Sequence, residues 1–318
     1  MNDFIEILIN ETQNKLGDHF FLEPVTSIKN NNQIYHGIQV RKEDSSMCPV
    51  FYVGRIYEDY QNGILSLSDC AELLIRQINK PNDFSIDPSF YSKYENIKDR
   101  VNVMLVNYDA NKEQLKEKPH FCLLDLAATF YVGIAIDNNT MGVLHITNKL
   151  LKEWGIDSDI FVKVHLNVML TRSHAVLCDI EDVIALLSEK LGEELPEGFD
   201  DNFGKLKGHL YVLTNAEGLY GASMLLNTAI LHQFATSHDD NLVIYPSSVH
   251  EALVTFKSDR YTNLITARHI AEVNLQMVSP EERLSNNVYL YDRHQKRLSI
   301  LSKGFSLAEL EAMNYMVN

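Results

Sequence analysis

PSSVHE, Pro246 to Glu251, brings two hydroxyls, an imidazole and a carboxylate within six residues. A serine hydrolase needs an imidazole nitrogen within hydrogen-bond reach of the serine oxygen, and a third group to orient the ring. Ser248 and His250 stand two apart, so on a strand both point to one face, about 7 Å apart at Cα. That spacing does not bring a base onto a nucleophile, and no GxSxG elbow is present. His250 alternates with Ala252, Val254 and Phe256, which predicts a strand with this face buried and the histidine held there by one hydrogen bond. Glu251 falls on the opposite face with Val249 and Leu253, so the His–Glu pair is not a fragment of a zincin motif.

Asp125 is the most unusual carboxylate, because it interrupts the longest apolar run, Phe121 to Ile136. Buried there, it must find partners, and arginine or backbone N–H groups are the expected ones. Asp125 therefore joins Ser248 and His250 as a catalytic candidate. NAEGLYG, Asn215 to Gly221, links an apolar run to an amphipathic one. Glycines ahead of a helix expose backbone N–H groups to an anion, which makes Asn215, Gly218, Tyr220 and Gly221 candidate binding residues. The turn is neither GxGxxG nor a P-loop, since no Lys-Ser/Thr follows. A simpler reading has Gly218 supplying a positive-φ turn while Asn215 bonds the loop backbone.

His145 and Asn148 flank a strand end and a helix start beside Thr147, where polar residues line ligand sites or serve as caps. His174 and Cys178 would share one face of a helix, but two ligands without a third do not make a metal site. The four cysteines, Cys48, Cys70, Cys122 and Cys178, form no CxxC pair, and they read as thiols in a reducing compartment. No metal and no cofactor is expected.

The elements that must position these groups follow from the hydrophobic period. A helix is expected over Phe4 to Leu16, closed by Gly17, and a hairpin loop at Lys29 to Gln33. Pro49 to Val53 reads as a strand. Ser66 opens a helix to Ile78, and a long helix is expected from Tyr91 towards Tyr108. Phe121 to Ile136 turns β-branched and aromatic, with a partner strand at Gly142 to Ile146 across an Asp137–Thr140 turn. Thr147 caps a helix carrying Trp154 and ending at Gly155.

Residues 209–256 read as strand, helix, strand, strand, with the helix over Ala222 to Phe234. Leu226, Ile230, Phe234, Ile244, Val254 and Trp154 are expected to be buried. A helix near Tyr261 to Val278, a hairpin at Asp292 to Gln295 and a helix capped by Ser306 complete the chain. Strands and helices alternate irregularly, so the fold class is α+β, with a mixed or antiparallel sheet and packed helices. Gly192 to Gly208, with four glycines and five acidic residues, reads as a loop or linker between an acidic N-terminal part, 1–191, and a C-terminal part, 209–318.

From Phe121 onward the pieces FCLLDLAATFYVGI, ITNKLLKEWGI, YVLTNAEGLYGASMLLNTAIL, VIYPSSVHEALV and SNNVYLYDR follow in order. In these the chain resembles a bacterial family known as domain of unknown function 5688, a likeness that extends over the whole length. Over roughly the last two-thirds it is more distantly similar to a second uncharacterised bacterial family. Both resemblances imply a cytosolic α+β protein, and neither implies a reaction, cofactor or binding residue.

Charge adds a direction. The net charge is -15, and residues 1–208 hold 20 basic and 32 acidic residues against 8 and 11 in the remainder. Such a surface repels nucleic-acid backbones and anionic membranes. The expected function is that of a cytoplasmic, non-catalytic binding protein acting through an acidic surface or a groove on a basic protein partner, with Glu193, Glu194, Asp200 and Asp201 among the contacts. Occupying a basic, nucleic-acid-binding partner is its sharper form. The alternative is a small-molecule hydrolase or transferase with a pocket near Asn215, Tyr220, Ser248 and His250. A pocket with convergent polar groups would separate the two.

Overall fold

Apolar residues at Phe4, Ile5 and Leu8, with Thr12, bury one face of helix α1 (Asn2–Leu16), which stops at Gly17 with φ 83°. The computed structural model describes residues 1–43, 48–80, 87–135, 141–172, 174–183, 185, 208–259, 267–309 and 312. It divides into two compact units, Met1–Ser85 and Ile86–Asn318. In the first, β1 (Phe20–Ile28) and β2 (Ile34–Lys42) form an antiparallel hairpin, and β3 (Val50–Tyr52) pairs with β2. Helix α2 (Gly54–Gln61) follows. Helix α3 (Leu67–Ile78) starts at Ser66 in a capping box: the hydroxyl accepts the Asp69 N–H, and the Asp69 carboxylate accepts the Ser66 N–H. Phe4, Leu8, Ile38, Val40, Ala71 and Leu74 make this unit's core.

Among the described residues the second unit holds two antiparallel sheets. One contains β4 (Val101–Asn107), β5 (Phe121–Leu123), β6 (Leu126–Ala135) and β7 (Met141–His145), with β4 on one side of β6 and β5 and β7 on the other. The expected helix over Tyr91 to Tyr108 is corrected here. Only short helical turns occupy residues 88–100, and VNVMLVN is the strand β4. Its alternate valines bury against β6, and tertiary pairing overrides the helical spacing of Ile97, Val101, Met104 and Leu105.

Thr147 accepts the Leu150 N–H and caps α4 (Asn148–Trp154), which Gly155 ends at φ 69°. Helix α5 (Ser158–Arg172) packs on β4. It buries Phe161, His165 and Met169, and the Phe161 ring meets Phe130 edge-on at 5.3 Å.

The second sheet takes β8 (Ala175–Asp179), β9 (Tyr211–Asn215), β10 (Leu242–Tyr245), β11 (Ala252–Phe256), β12 (Val288–Asp292) and β13 (Arg297–Ser302) in the order β13-β12-β10-β11-β9-β8. A 3₁₀ helix, Gly221–Leu226, and α6 (Thr228–Ser237) separate β9 from β10, and α7 (Ala267–Met277) precedes β12. Because β8 pairs with β9, residues on both sides of the expected linker share one sheet. The linker itself, apart from Gly208, lies outside the described residues, as do Glu193, Glu194, Asp200, Asp201 and the expected turn at Asp137 to Thr140. The fold is α+β, with antiparallel sheets and helices in irregular order.

The strand–helix–strand–strand order of residues 211–256 is present, but its helix is broken. At Asn227 the backbone leaves helical geometry, with φ -83° and ψ 74°, and the tighter 3₁₀ turn rotates the apolar stripe. Ala222, Met224 and Leu225 bury before the break, and Leu231 and Ala235 after it. Leu226, Ile230 and Phe234 are consequently half-buried, whereas Ile244 and Val254 are fully buried. Trp154 is half-buried too, since its indole N–H donates to the Ser92 carbonyl at 2.6 Å at the surface.

Candidate functional site

The β9 turn, the 3₁₀ helix, the N-terminal end of β4 and the C-terminal end of α5 surround a cleft of about 660 Å³. That size is within the range of ligand sites, roughly 300–1,000 Å³. Apolar side chains from three segments line it, among them Val103, Met169 and Met224. Polar groups come from Asn215, Ser223 and Tyr131. Burial, with Tyr220 and Glu217 nearby, holds the Tyr131 phenol well above its ordinary value, so it remains a neutral hydroxyl.

Charge lies at the rim. Arg172 donates to both the carboxylate and the carbonyl of Asp99, each at 3.1 Å. Arg100 instead lies over the Phe90 ring at 5.4 Å and meets no carboxylate within ion-pair distance among the described residues.

Of the expected binding residues in the turn, Asn215 lines this cleft, and Gly218, Tyr220 and Gly221 build the turn behind it. Asn215 Nδ2 donates to the Leu219 carbonyl at 2.8 Å, while its Oδ1 is buried with no partner among the described residues. Gly218 has φ 67°. A Cβ on Gly221 would come within 2.0 Å of Thr214 Oγ1 and 2.6 Å of the His250 carbonyl, so only glycine lets the turn close on β9. Tyr220 adopts a left-handed backbone, φ 53°, and meets Tyr131 edge-on at 5.0 Å.

Ser248 and His250 lie on the far side of Tyr220, in a loop rather than on a strand; β11 begins only at Ala252. The strand expectation fails because Ser248 bridges to Arg283 and Val249 N–H bonds the Glu282 carbonyl, which pulls the segment out of register. Ser248 Oγ accepts the His250 backbone N–H at 3.0 Å. The ring of His250 is half-buried and stacks on Tyr220. Its Nδ1 accepts the Tyr220 N–H at 3.2 Å, which leaves the proton on Nε2, 3.5 Å from Glu282. Burial raises the Glu251 carboxyl, partly offset by Ser248 and His250.

Among the described residues Asp125 meets neither of its expected partners. It stands at the β5–β6 corner and accepts hydrogen bonds from the hydroxyls of Ser285, at 2.6 Å, and Tyr289, at 2.7 Å. Asn148 donates to the Lys116 carbonyl at 3.0 Å beside the Thr147 cap. Cys178 is on strand β8, so it and His174 share no helix. Among the described residues no three His, Cys, Asp or Glu side chains cluster to hold a metal, and no helix is long and apolar enough to cross a membrane.

Arg100, Arg172, Tyr131 and Met169 escaped sequence reasoning because they converge from separate segments. The one usable signal was the β-branched run of β4, which could have been read as a strand edge. The cleft offers donors, acceptors, two guanidinium groups and an apolar floor, and its described lining contains no histidine or cysteine. That set can hold and orient a ligand.

The second unit is thus an α+β unit with antiparallel sheets and a cleft beside β4. Residues 1–293 match the model of a family of unknown function, DUF5688, and the chain belongs to that family. No curated protein and no solved structure matches it.

Proposed function

We propose that this is a non-catalytic binding protein that engages a polypeptide partner in the cleft between β4, α5 and the Asn215–Gly221 turn. The observation that carries the reading is the convergence of Tyr131, Asn215, Ser223 and two arginines on one apolar-floored cleft whose described lining holds no nucleophile–base pair. The net charge of -15 supports a partner with a basic surface, including one that itself binds nucleic acid, because opposite charge steers encounter. The free thiols Cys48, Cys70, Cys122 and Cys178 support a reducing compartment such as the cytoplasm.

Site-specific photocrosslinking in the native cell tests the reading. Benzoylphenylalanine replacing Val168, in the cleft, should yield a discrete adduct, whereas the same group replacing the exposed Lys163 should not. Adducts from position 163 and none from 168 would move the function to the outer surface.

A further inference from the structure

The register of β4 points to the kind of partner the cleft accepts. Val101, Val103 and Leu105 oppose Val132, Phe130 and Ala128 of β6. In an antiparallel pair, opposed residues alternate between exchanging both hydrogen bonds and turning both backbone groups away. Two bonds set the phase. Tyr108 N–H donates to the Asp125 carbonyl at 2.9 Å, just past the strand end, so that pair faces inward. On the other side of β6, the Phe130 carbonyl accepts the Ile146 N–H at 2.9 Å, so Phe130 faces away from β4.

Both count to the same answer. Asn102, Met104 and Val106 bond β6, while Val101, Val103 and Leu105 turn their N–H and C=O groups outward. Asn107, next in the outward set, gives its carbonyl to Asn111 Nδ2 at 2.8 Å, as that phase requires.

Among the described residues β4 is an edge strand, and no further strand pairs with its outer side. Among the described residues the outward backbone groups of Val101 and Val103 have no partner. Both residues are almost fully withdrawn from water, at 6% and 3% exposure, and both line the cleft. Buried backbone donors and acceptors in native proteins nearly always have partners. Tyr131 and Asn102, from the opposite face of the same strands, line the cleft too, so it follows the strand edge rather than one sheet face.

We infer that the cleft accepts an extended peptide segment that adds to the edge of β4, its main chain hydrogen-bonded to Val101 and Val103. The inference rests on the cleft-binding reading above and names the partner's chemistry. Two outward residues, i and i+2, present the donor–acceptor repeat of a strand, which another extended chain matches at every second residue. A row of unpaired groups on an edge is a template for such pairing. The two cleft charges without an ion-pair partner among the described residues, Arg100 and Glu217, stand on different segments. They complement a segment that carries one acidic and one basic residue.

The test uses the full chain with labelled amides and methionine methyls, titrated with acetyl-Glu-Thr-Val-Thr-Lys-amide. Met169 and Met224 methyls report occupancy of the cleft, and the Val101 and Val103 amides report strand addition. At saturation these two amides should move downfield and exchange with solvent at least about tenfold more slowly. N-methylating one alternate set of peptide amides should weaken binding at least about tenfold, and the other set should be tolerated. Val101→Pro removes an outward N–H and leaves the β6 ladder intact, so the variant should stay folded and lose the peptide.

Methyl shifts without amide shifts, or equal effects of both N-methylated sets, would overturn strand addition while leaving the cleft a binding site. Amides of Val101 and Val103 already as protected as those of Asn102 and Met104 in the free protein would also overturn it. Silence of all four signals at millimolar peptide overturns it as well, and crosslinking at position 168 then decides separately on the cleft.

Discussion

Tyr289 donates its phenolic hydrogen to Asp125 Oδ1 at 2.7 Å, joining β12 of one sheet to the β5–β6 corner of the other across 164 residues of chain. Tyr289 is fully buried, and burial, the Asp125 charge and the hydrogen bond to it together push the phenol far above its ordinary value. Ser285 donates to the other carboxylate oxygen, so two hydroxyls do what a cation does in a salt bridge.

Tyr289→Phe keeps the packing and removes the donor. Unfolding free energy should fall by about 1–3 kcal/mol, because a partly desolvated carboxylate loses one of its two hydroxyl partners. Urea midpoints of the two proteins measure it. An unchanged midpoint would show that water replaces the phenol at no cost.

The two glycines of the Asn215 turn should respond differently to alanine. Gly221→Ala forces a methyl against the Thr214 hydroxyl and two backbone atoms, so a loss of about 1–3 kcal/mol or more is expected. Gly218→Ala meets open space and carries only the strain of a positive φ, about 1 kcal/mol. Thermal melts of both variants should rank them in that order, and the reverse order would contradict the close approach of the turn to β9.

His165 is 2% exposed, its Nε2 bonds the Tyr94 hydroxyl at 2.9 Å, and its Nδ1 has no partner among the described residues. Burial, assisted by Arg172 and opposed by Asp99, pushes the ring from its ordinary 6.5 down to about 4. Between those values the unfolded chain binds the proton and the folded protein does not. Stability from this group is therefore complete above about pH 6.5 and is lost as pH falls towards 4, by about 3 kcal/mol in all. His165→Gln should flatten the stability–pH curve in that window, and parallel curves for variant and parent would remove the assignment.

The break at Asn227 moves the burden of packing along the helix. Leu231→Ala deletes a fully buried side chain and should cost about 2–5 kcal/mol, while Leu226→Ala, at a half-buried position, should cost clearly less. Denaturant midpoints for the pair decide it. Equal losses would mean the stripe runs unbroken from Ala222 to Phe234.

Local chemistry in the sequence was enough for elements whose signals are local. Ser66 and Asp69 write the start of α3, Thr147 and Gly155 bound α4, and the β-branched run after Phe121 makes β6, because caps, turns and hydrophobic period act within a few residues. Three outcomes needed tertiary structure. VNVMLVN carries both helical and strand spacing, and only pairing with β6 decides between them. Asp125 finds Tyr289 and Ser285 rather than an arginine because two sheets meet there, a distance of 164 residues that no local pattern encodes. The cleft exists only where β4, α5 and the Asn215 turn converge, and the outward phase of Val101 and Val103 follows from register, which belongs to a pair of strands and not to either one.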